Sequence, residues 1–342
     1  MGNYPSIWRE FFLGGEVMKK IIVLLILLIS AFYFSTQTLV VYTYDSFVSG
    51  IGYEVVPIFE KMYGCKVDLR SFGDAGSVLS RLILEKQNPK ADVIIGLDQA
   101  LLFRAIKENL LEKYTPINKS LLKYPELLNE YGVPYDFGAI AIVYNRNTVK
   151  NPPKSFSDLL SKKFKNRIVV QDPRTSSTGL SFLLWTIAVY KDNYLDFWKK
   201  FKENILTITP GWDEAFEMLE SGEADIMVSY ATDGAYSYHN YGEIIYVPVI
   251  LDDGACVQIE YASIVKGTKN MELAKRFLEF ILMEDFQEKV PLNQWMLPVT
   301  EVNTPEAFKY VPQINKILKL EPKIYEKQEE ILKEWSKEVI GG

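Results

Sequence analysis

The chain has 342 residues, 48% of them apolar and 24% charged, with a formal net charge of -6. That is an ordinary globular balance, enough to build one large domain or two medium ones with substantial cores. The acidic charge argues against nucleic acid as a partner.

The N-terminus reads as a leader. Lys19-Lys20 precedes the apolar run Ile21–Ile29, then Ser30-Ala31 and Phe32–Phe34. A basic segment before a short apolar run is the pattern of a secretory signal, and the run falls short of the ~20 residues that span a bilayer. No Cys follows it to carry a lipid anchor. The small-residue cleavage pattern is poor, which leaves a membrane-tethered form as the alternative. Met18 reads as the true start, with Gly14–Val17 as translated ribosome-binding sequence. Residues 1–36 are therefore assigned to a misread leader plus signal peptide, and export to the periplasm or another extracytoplasmic space is expected.

The mature part opens with a strand, Thr38–Tyr42, that runs into the polar loop residues Thr43-Tyr44-Asp45-Ser46-Phe47. Polar residues at strand C-termini are where α/β sheets present ligand contacts. A helix is expected over 51–63, closed by Gly64, then a strand at Cys65–Leu69. Asp74 starts a helix over 76–87 with Val78, Leu79, Leu82 and Ile83 on one face. Ala91–Gly96 follows as a buried parallel strand, ending in Leu97-Asp98. This alternation predicts a doubly wound α/β sheet.

The unit recurs. Helix 212–221 ends at Gly222, and Ala224–Tyr230 follows much as Ala91–Leu97 follows helix 76–87. The echo suggests two lobes of similar construction, although any two βα units share these features. A second lobe is placed at 134–257, after a first at 37–133. Ala139–Tyr144 is read as a strand crossing between them. Arg167–Gln171 is a buried strand before an apolar helix over 180–190. Two strands, Cys256–Glu260 and Ala262–Val265, form the return crossing, and residues 258–342 go back to the first lobe and supply C-terminal helices. Helix 270–283 should pack on that lobe, and 305–342 reads as charged and helical.

Catalytic chemistry finds little support. His239 is the only His, so a Ser-His or Cys-His pair would have to use it. No P-loop, nucleophile elbow or HExxH is present, and zinc ligands are lacking. Cys65 and Cys256 are too few for a disulfide framework. Polar loops at strand ends carry more information. Ser and Thr in Gln171–Gly179 can cap the helix that follows, or turn its N–H groups toward an anion or hydroxyl. Gly211-Trp212 puts an indole at a helix start, and Trp295 lies in the Pro-ended loop Asn293–Pro298. Tyr44, Tyr230 and Tyr236 fall at or just after strand ends. For any one of these rings a core position is the default, and Trp185 and Trp198, inside helices, are better core candidates.

Taken in order, Tyr42–Phe47, Ala91–Asp98, Gln171–Ser176, Gly211-Trp212, Val228–Tyr230 and Trp295–Pro298 resemble the periplasmic thiamine-binding proteins of bacterial ABC importers. The resemblance covers about residues 40–300. It implies a two-lobed periplasmic-binding-protein fold of the type II kind, with ligand in the interlobe cleft. It implies ligand-binding roles for Tyr44, Asp45, Asp74, Asp98, Ser176, Trp212, Tyr230, Tyr236 and Trp295. It further implies a monomer that hands thiamine, or its mono- or diphosphate, to an ABC permease, with no enzyme activity, metal or cofactor. Gln99 and Leu297 depart from residues common in that family, which bears on selectivity among thiamine forms. Thiamine carries a thiazolium cation, a flat aminopyrimidine and a hydroxyethyl tail. Tyr and Trp rings can hold the cation at ~0.5–2 kcal/mol per contact; Asp74 could accept from the aminopyrimidine or balance the charge; Ser176 suits the tail or its phosphate. Two rivals stay open: a carrier of ferric ion or another small solute, for which Tyr236, Tyr238 and His239 are candidate ligands, and an exported thiamine-degrading enzyme, which needs a Cys nucleophile.

Overall fold

A computed structural model describes residues 36–341. The leader reading, with Met18 and Ile21–Ile29, lies outside the described residues. Among those described, no helix is long and apolar enough to cross a membrane.

The first lobe begins with β1 (Thr38–Thr43), α1 (Asp45–Ser49), α2 (Ile51–Tyr63), β2 (Lys66–Ser71), α3 (Ala75–Leu84), β3 (Val93–Leu97) and α4 (Gln99–Lys107). Strand β1 lies parallel between β2 and β3. The expected polar loop at 43–47 is instead the start of a short helix, because Phe47 turns inward and is fully buried. Helix α2 has the expected bounds. Ile51, Val55 and Phe59, spaced by four, form its buried face, and Gly64 ends it in the left-handed conformation.

Strand β4 (Val133–Asn145) is the crossing. Its first half, to Ala139, pairs with β9 (Val257–Ile264); from Ile140 onward it pairs with β7 (Ile226–Tyr230) and β8 (Tyr246–Val249). The second lobe holds β5 (Ile168–Gln171), α5 (Ser177–Tyr190), α6 (Tyr194–Phe201), β6 (Ile205–Thr209), α7 (Trp212–Ser221), β7, α8 (Asp233–Tyr241) and β8. Here β5 lies parallel between β6 and β7. The whole order is β2-β1-β3-β9-β4-β7-β5-β6. Each lobe thus repeats one arrangement, with the first of three strands in the middle, which is the internal echo seen as topology.

The return crossing is one continuous strand, β9, rather than two. Its first part, Val257–Ala262, pairs with β4 and its last part, Tyr261–Ile264, with β3, so each residue has a strand partner along its whole length. Helix α9 (Met271–Phe280) packs on the first lobe through Phe277 and Phe280 against Phe59. Short helices α10 (Glu284–Gln287) and α11 (Val290–Asn293) lead to β10 (Leu297–Pro298). The C-terminal stretch is less helical than its charge pattern suggests. After a 3-10 turn at Glu306–Tyr310 it is largely irregular until α12 (Pro322–Glu326) and α13 (Gln328–Val339). It also touches both lobes: Tyr325 meets Phe103 of α4, while the fully buried Trp335 meets Trp198 of α6.

Candidate functional site

Between the lobes lies a cavity of about 360 Å³, within the ~300–1,000 Å³ usual for small-molecule sites. Seven of the nine sequence candidates line it: Tyr44, Asp45, Asp74, Trp212, Tyr230, Tyr236 and Trp295. Strand ends deliver Tyr44 and Tyr230, helix starts deliver Asp74 and Trp212, and the loop after α11 delivers Trp295.

The Tyr44 ring needs a special neighbour. A Cβ at Gly96 would sit 2.2 Å from Tyr44 Cε1, and Gly96 has φ +106. Only glycine satisfies both demands. Trp212 stacks on Phe216 (4.7 Å between centroids), which meets Tyr236 edge-on (5.0 Å), which in turn meets Trp295 (5.1 Å). This wall joins second-lobe rings to a first-lobe loop. Its orientation is fixed by polar handles. Trp212 Nε1 donates to Ser229 Oγ at 2.9 Å, Tyr236 Oη donates to Glu220 at 2.9 Å, and Tyr230 Oη pairs with Thr178 Oγ1 at 2.8 Å. Trp295 has φ 56, a strained value for a bulky residue of the kind that functional sites tolerate.

The cavity is acidic. Asp45, Asp74, Asp213, Glu214, Glu220, Asp233 and Glu260 line it, and among the described residues no Lys, Arg or His does. Asp74 caps α3 by accepting from Ala75 N at 2.5 Å, and it also reaches across the cleft. Its Oδ2 accepts from Trp212 N at 3.1 Å and its Oδ1 from Ser177 N at 3.4 Å. The starts of three helices, α3, α5 and α7, therefore aim N–H groups at one carboxylate. Burial raises its pKa; a hydrogen bond from the Ser176 side chain and these backbone bonds oppose the rise without cancelling it. Beside it, Ser77 N donates to Thr175 O at 3.1 Å, so the lobes touch here through their own backbone. Burial pushes Asp213 up to about 6, with Asp74 adding to it, and Asp233 up to about 7.

Two candidates fall outside the lining. Ser176 caps α5, accepting from Gly179 N at 3.2 Å, and lies buried behind Asp74. Asp98 caps α4, accepting from Leu101 N at 2.7 Å, and burial pushes it up to about 7. Gln99 and Leu297 are not in the lining either. Gln99 stitches the crossing strand, donating to Val257 O and accepting from Ile259 N. Sequence reasoning missed Glu260, Phe216, Gln294 and the acids of α7. Glu260 had a signal: a carboxylate inside a strand that is otherwise buried and largely apolar.

The rival site residues do not assemble. Tyr236 faces the cavity, Tyr238 packs on Tyr310 at 4.3 Å, and His239 is exposed over Trp295. Among the described residues no cluster of three His, Cys, Asp or Glu is placed to hold a metal. Cys65 and Cys256 are buried away from the cavity, and burial pushes the Cys256 thiol up to about 12.

Comparison with known proteins places this geometry. The sequence profile of a family described as bacterial extracellular solute-binding protein matches residues 88–317. A thiamine-binding periplasmic protein of Salmonella typhimurium is 36% identical over 326 residues, 94% of this chain and 99% of that one. One from Brucella suis is 37% identical over 292 residues, 84% of this chain and 87% of that one. The solved structure of a periplasmic thiamin binding protein superposes with TM-score 0.85 at 35% identity, covering 90% of this chain and 97% of that one. A ferric binding protein from Campylobacter jejuni shares the fold, with TM-score 0.73 at 23% identity over 88% of this chain and 99% of that one.

Proposed function

The chain belongs to the bacterial extracellular solute-binding proteins, and we propose that it captures thiamine outside the cytoplasm and delivers it to the permease of an ABC importer. The observation that carries this reading is the cavity: aromatic faces from both lobes beside seven carboxyl side chains, with no basic residue among the described residues of the lining. A flat permanent cation answers both features. Ring faces attract it, and the carboxylates give the cleft a negative potential that draws it in. Its hydroxyethyl tail, free or phosphorylated, would lie toward the N–H groups at the starts of α5 and α7. The leader pattern and the periplasmic relatives support capture in the periplasm, and export would rest on that leader. No cofactor enters this reading.

Titration calorimetry on the mature protein tests it. Thiamine should bind with Kd on the order of nanomolar, about -12 kcal/mol. Binding no tighter than roughly millimolar for thiamine and both of its phosphates would overturn the assignment.

A further inference from the structure

The acids around the cavity are not equivalent. Asp45, Glu214 and Glu220 are exposed, so water screens them. Asp74 is engaged by backbone N–H groups. Glu260 differs. It projects from β9, a crossing strand, lines the cavity, and is 4% exposed. Tyr44 Oη donates to it at 2.7 Å, Tyr135 Oη at 2.5 Å and Gln258 Nε2 at 3.1 Å. Gln294 Nε2 donates at a longer 3.5 Å, and all four donors are neutral.

Directly across the strand pair lies Asp136, in register with Glu260. A bulge at Tyr135 lets two sequence neighbours, Tyr135 and Asp136, both face Glu260. Asp136 is fully buried, and among the described residues neither of its oxygens has a hydrogen-bond donor. Two buried carboxylates in register on paired strands strongly disfavour ionising together. The proton belongs on the one without donors, Asp136, which can then donate it to Glu260. The other groups facing this pair are Tyr44 after β1, Asp74 at α3, Asp98 at α4, Tyr230 at the end of β7, and Gln294 after α11. None is cationic, so among the described residues the pair has no positive partner. Burial raises the proton affinity of both acids, in keeping with one retained proton.

We propose that Glu260 is the counter-charge that makes the pocket select a monocation, and that Asp136 is a positioning residue that keeps the pair at a single negative charge by holding one proton. The inference rests on the thiamine reading, which supplies a ligand of charge +1.

The test titrates wild type, Glu260→Gln, Asp136→Asn and Asp136→Ala with thiamine and with an uncharged analogue whose quaternary ring nitrogen is replaced by carbon. Ligand-free melting checks that each variant is folded. Wild type should prefer the cation. Glu260→Gln should weaken thiamine at least about 30-fold, the lower end for removing one partner of a buried charge pair, and leave the analogue as before. Asp136→Asn, which keeps a donor toward Glu260, should retain wild-type affinity and cation preference. Asp136→Ala should move the acid limb of the thiamine pH profile upward, because Glu260 loses a donor to its ionised form. Equal loss of both ligands in Glu260→Gln, or loss of cation preference in Asp136→Asn, would overturn the proposal. Should Glu260→Gln not fold, the two Asp136 variants still decide it. Wild type that binds thiamine and the analogue equally sinks this inference alone, whereas wild type that binds no thiamine form sinks the functional reading beneath it.

Discussion

Gly76→Ala should separate folding from ligand capture. Gly76 is the second residue of α3, and a Cβ there would stand 2.7 Å from Thr175 O and 2.8 Å from Thr175 C, across the cleft. Those are backbone atoms and cannot swing aside, so the lobes must part. Parting them puts three interlobe bonds at risk: Ser77 N to Thr175 O at 3.1 Å, Trp212 N to Asp74 at 3.1 Å and Ser177 N to Asp74 at 3.4 Å. At about 0.5–1.5 kcal/mol each, their loss costs closure roughly 1.5–4 kcal/mol, or about one to three decades in Kd. Within its own lobe the change goes the other way, since Ala is the better helix former by up to ~1 kcal/mol. Calorimetry should therefore show weaker thiamine binding while ligand-free melting is unchanged or raised. Small-angle scattering should show that wild type compacts on adding thiamine and the variant compacts less. Wild-type affinity together with wild-type compaction in Gly76→Ala would refute the idea that this seam closes on ligand.

Trp212→Ala should weaken binding by roughly 1–3 kcal/mol through lost cation–π and apolar contact. Its ring is half-buried and stacked on Phe216, so melting should fall only modestly. A large fall with affinity intact in the folded fraction would place Trp212 in the core instead. Ligand-free stability should fall as pH rises from about 4 to 8. Burial holds Asp98 and Asp233 up at about 7 and Asp213 at about 6, whereas an unfolded Asp ionises near about 4. The folded chain thus binds more protons in that window, and the slope of stability against pH is negative. Asp98→Asn, which keeps the helix cap, should make that slope shallower in melting experiments and leave thiamine affinity unchanged. A loss of affinity would return Asp98 to the site.

Local features of the chain were legible because local physics sets them. Apolar runs gave the buried strands, and Gly64 and Gly222 marked helix ends through left-handed caps. At Trp212 a helix start left a cleft position open to the indole, although a core position is the default for any single ring. The pocket floor was not legible in the same way. Tyr44, Tyr135 and Glu260 meet within hydrogen-bond distance although 91 and 125 residues separate successive members, and no spacing along the chain encodes that meeting. Asp98 and Ser176 show the converse. Each is a strand-end polar residue before a helix, which is also the pattern of an ordinary N-cap, and in both the side chain makes that cap.

One arrangement links capture to motion. Strands β4 and β9 are the crossings about which two such lobes would turn; β9 carries Glu260 into the cavity lining, and Tyr135, Asp136 and Gln258 of the same two strands surround it from behind the lining. Tyr230, from the second lobe, is tied to that floor by Gln258 Nε2 at 3.0 Å, while Tyr44 and Gln294 reach it from the first. A cation settling on Glu260 would contact the hinge itself and the rings of both lobes at once. Ring contacts to both lobes would favour the arrangement in which the lobes meet, so binding energy there would be spent on closure. A permease that reads the closed shape would then distinguish loaded from empty protein without touching the ligand.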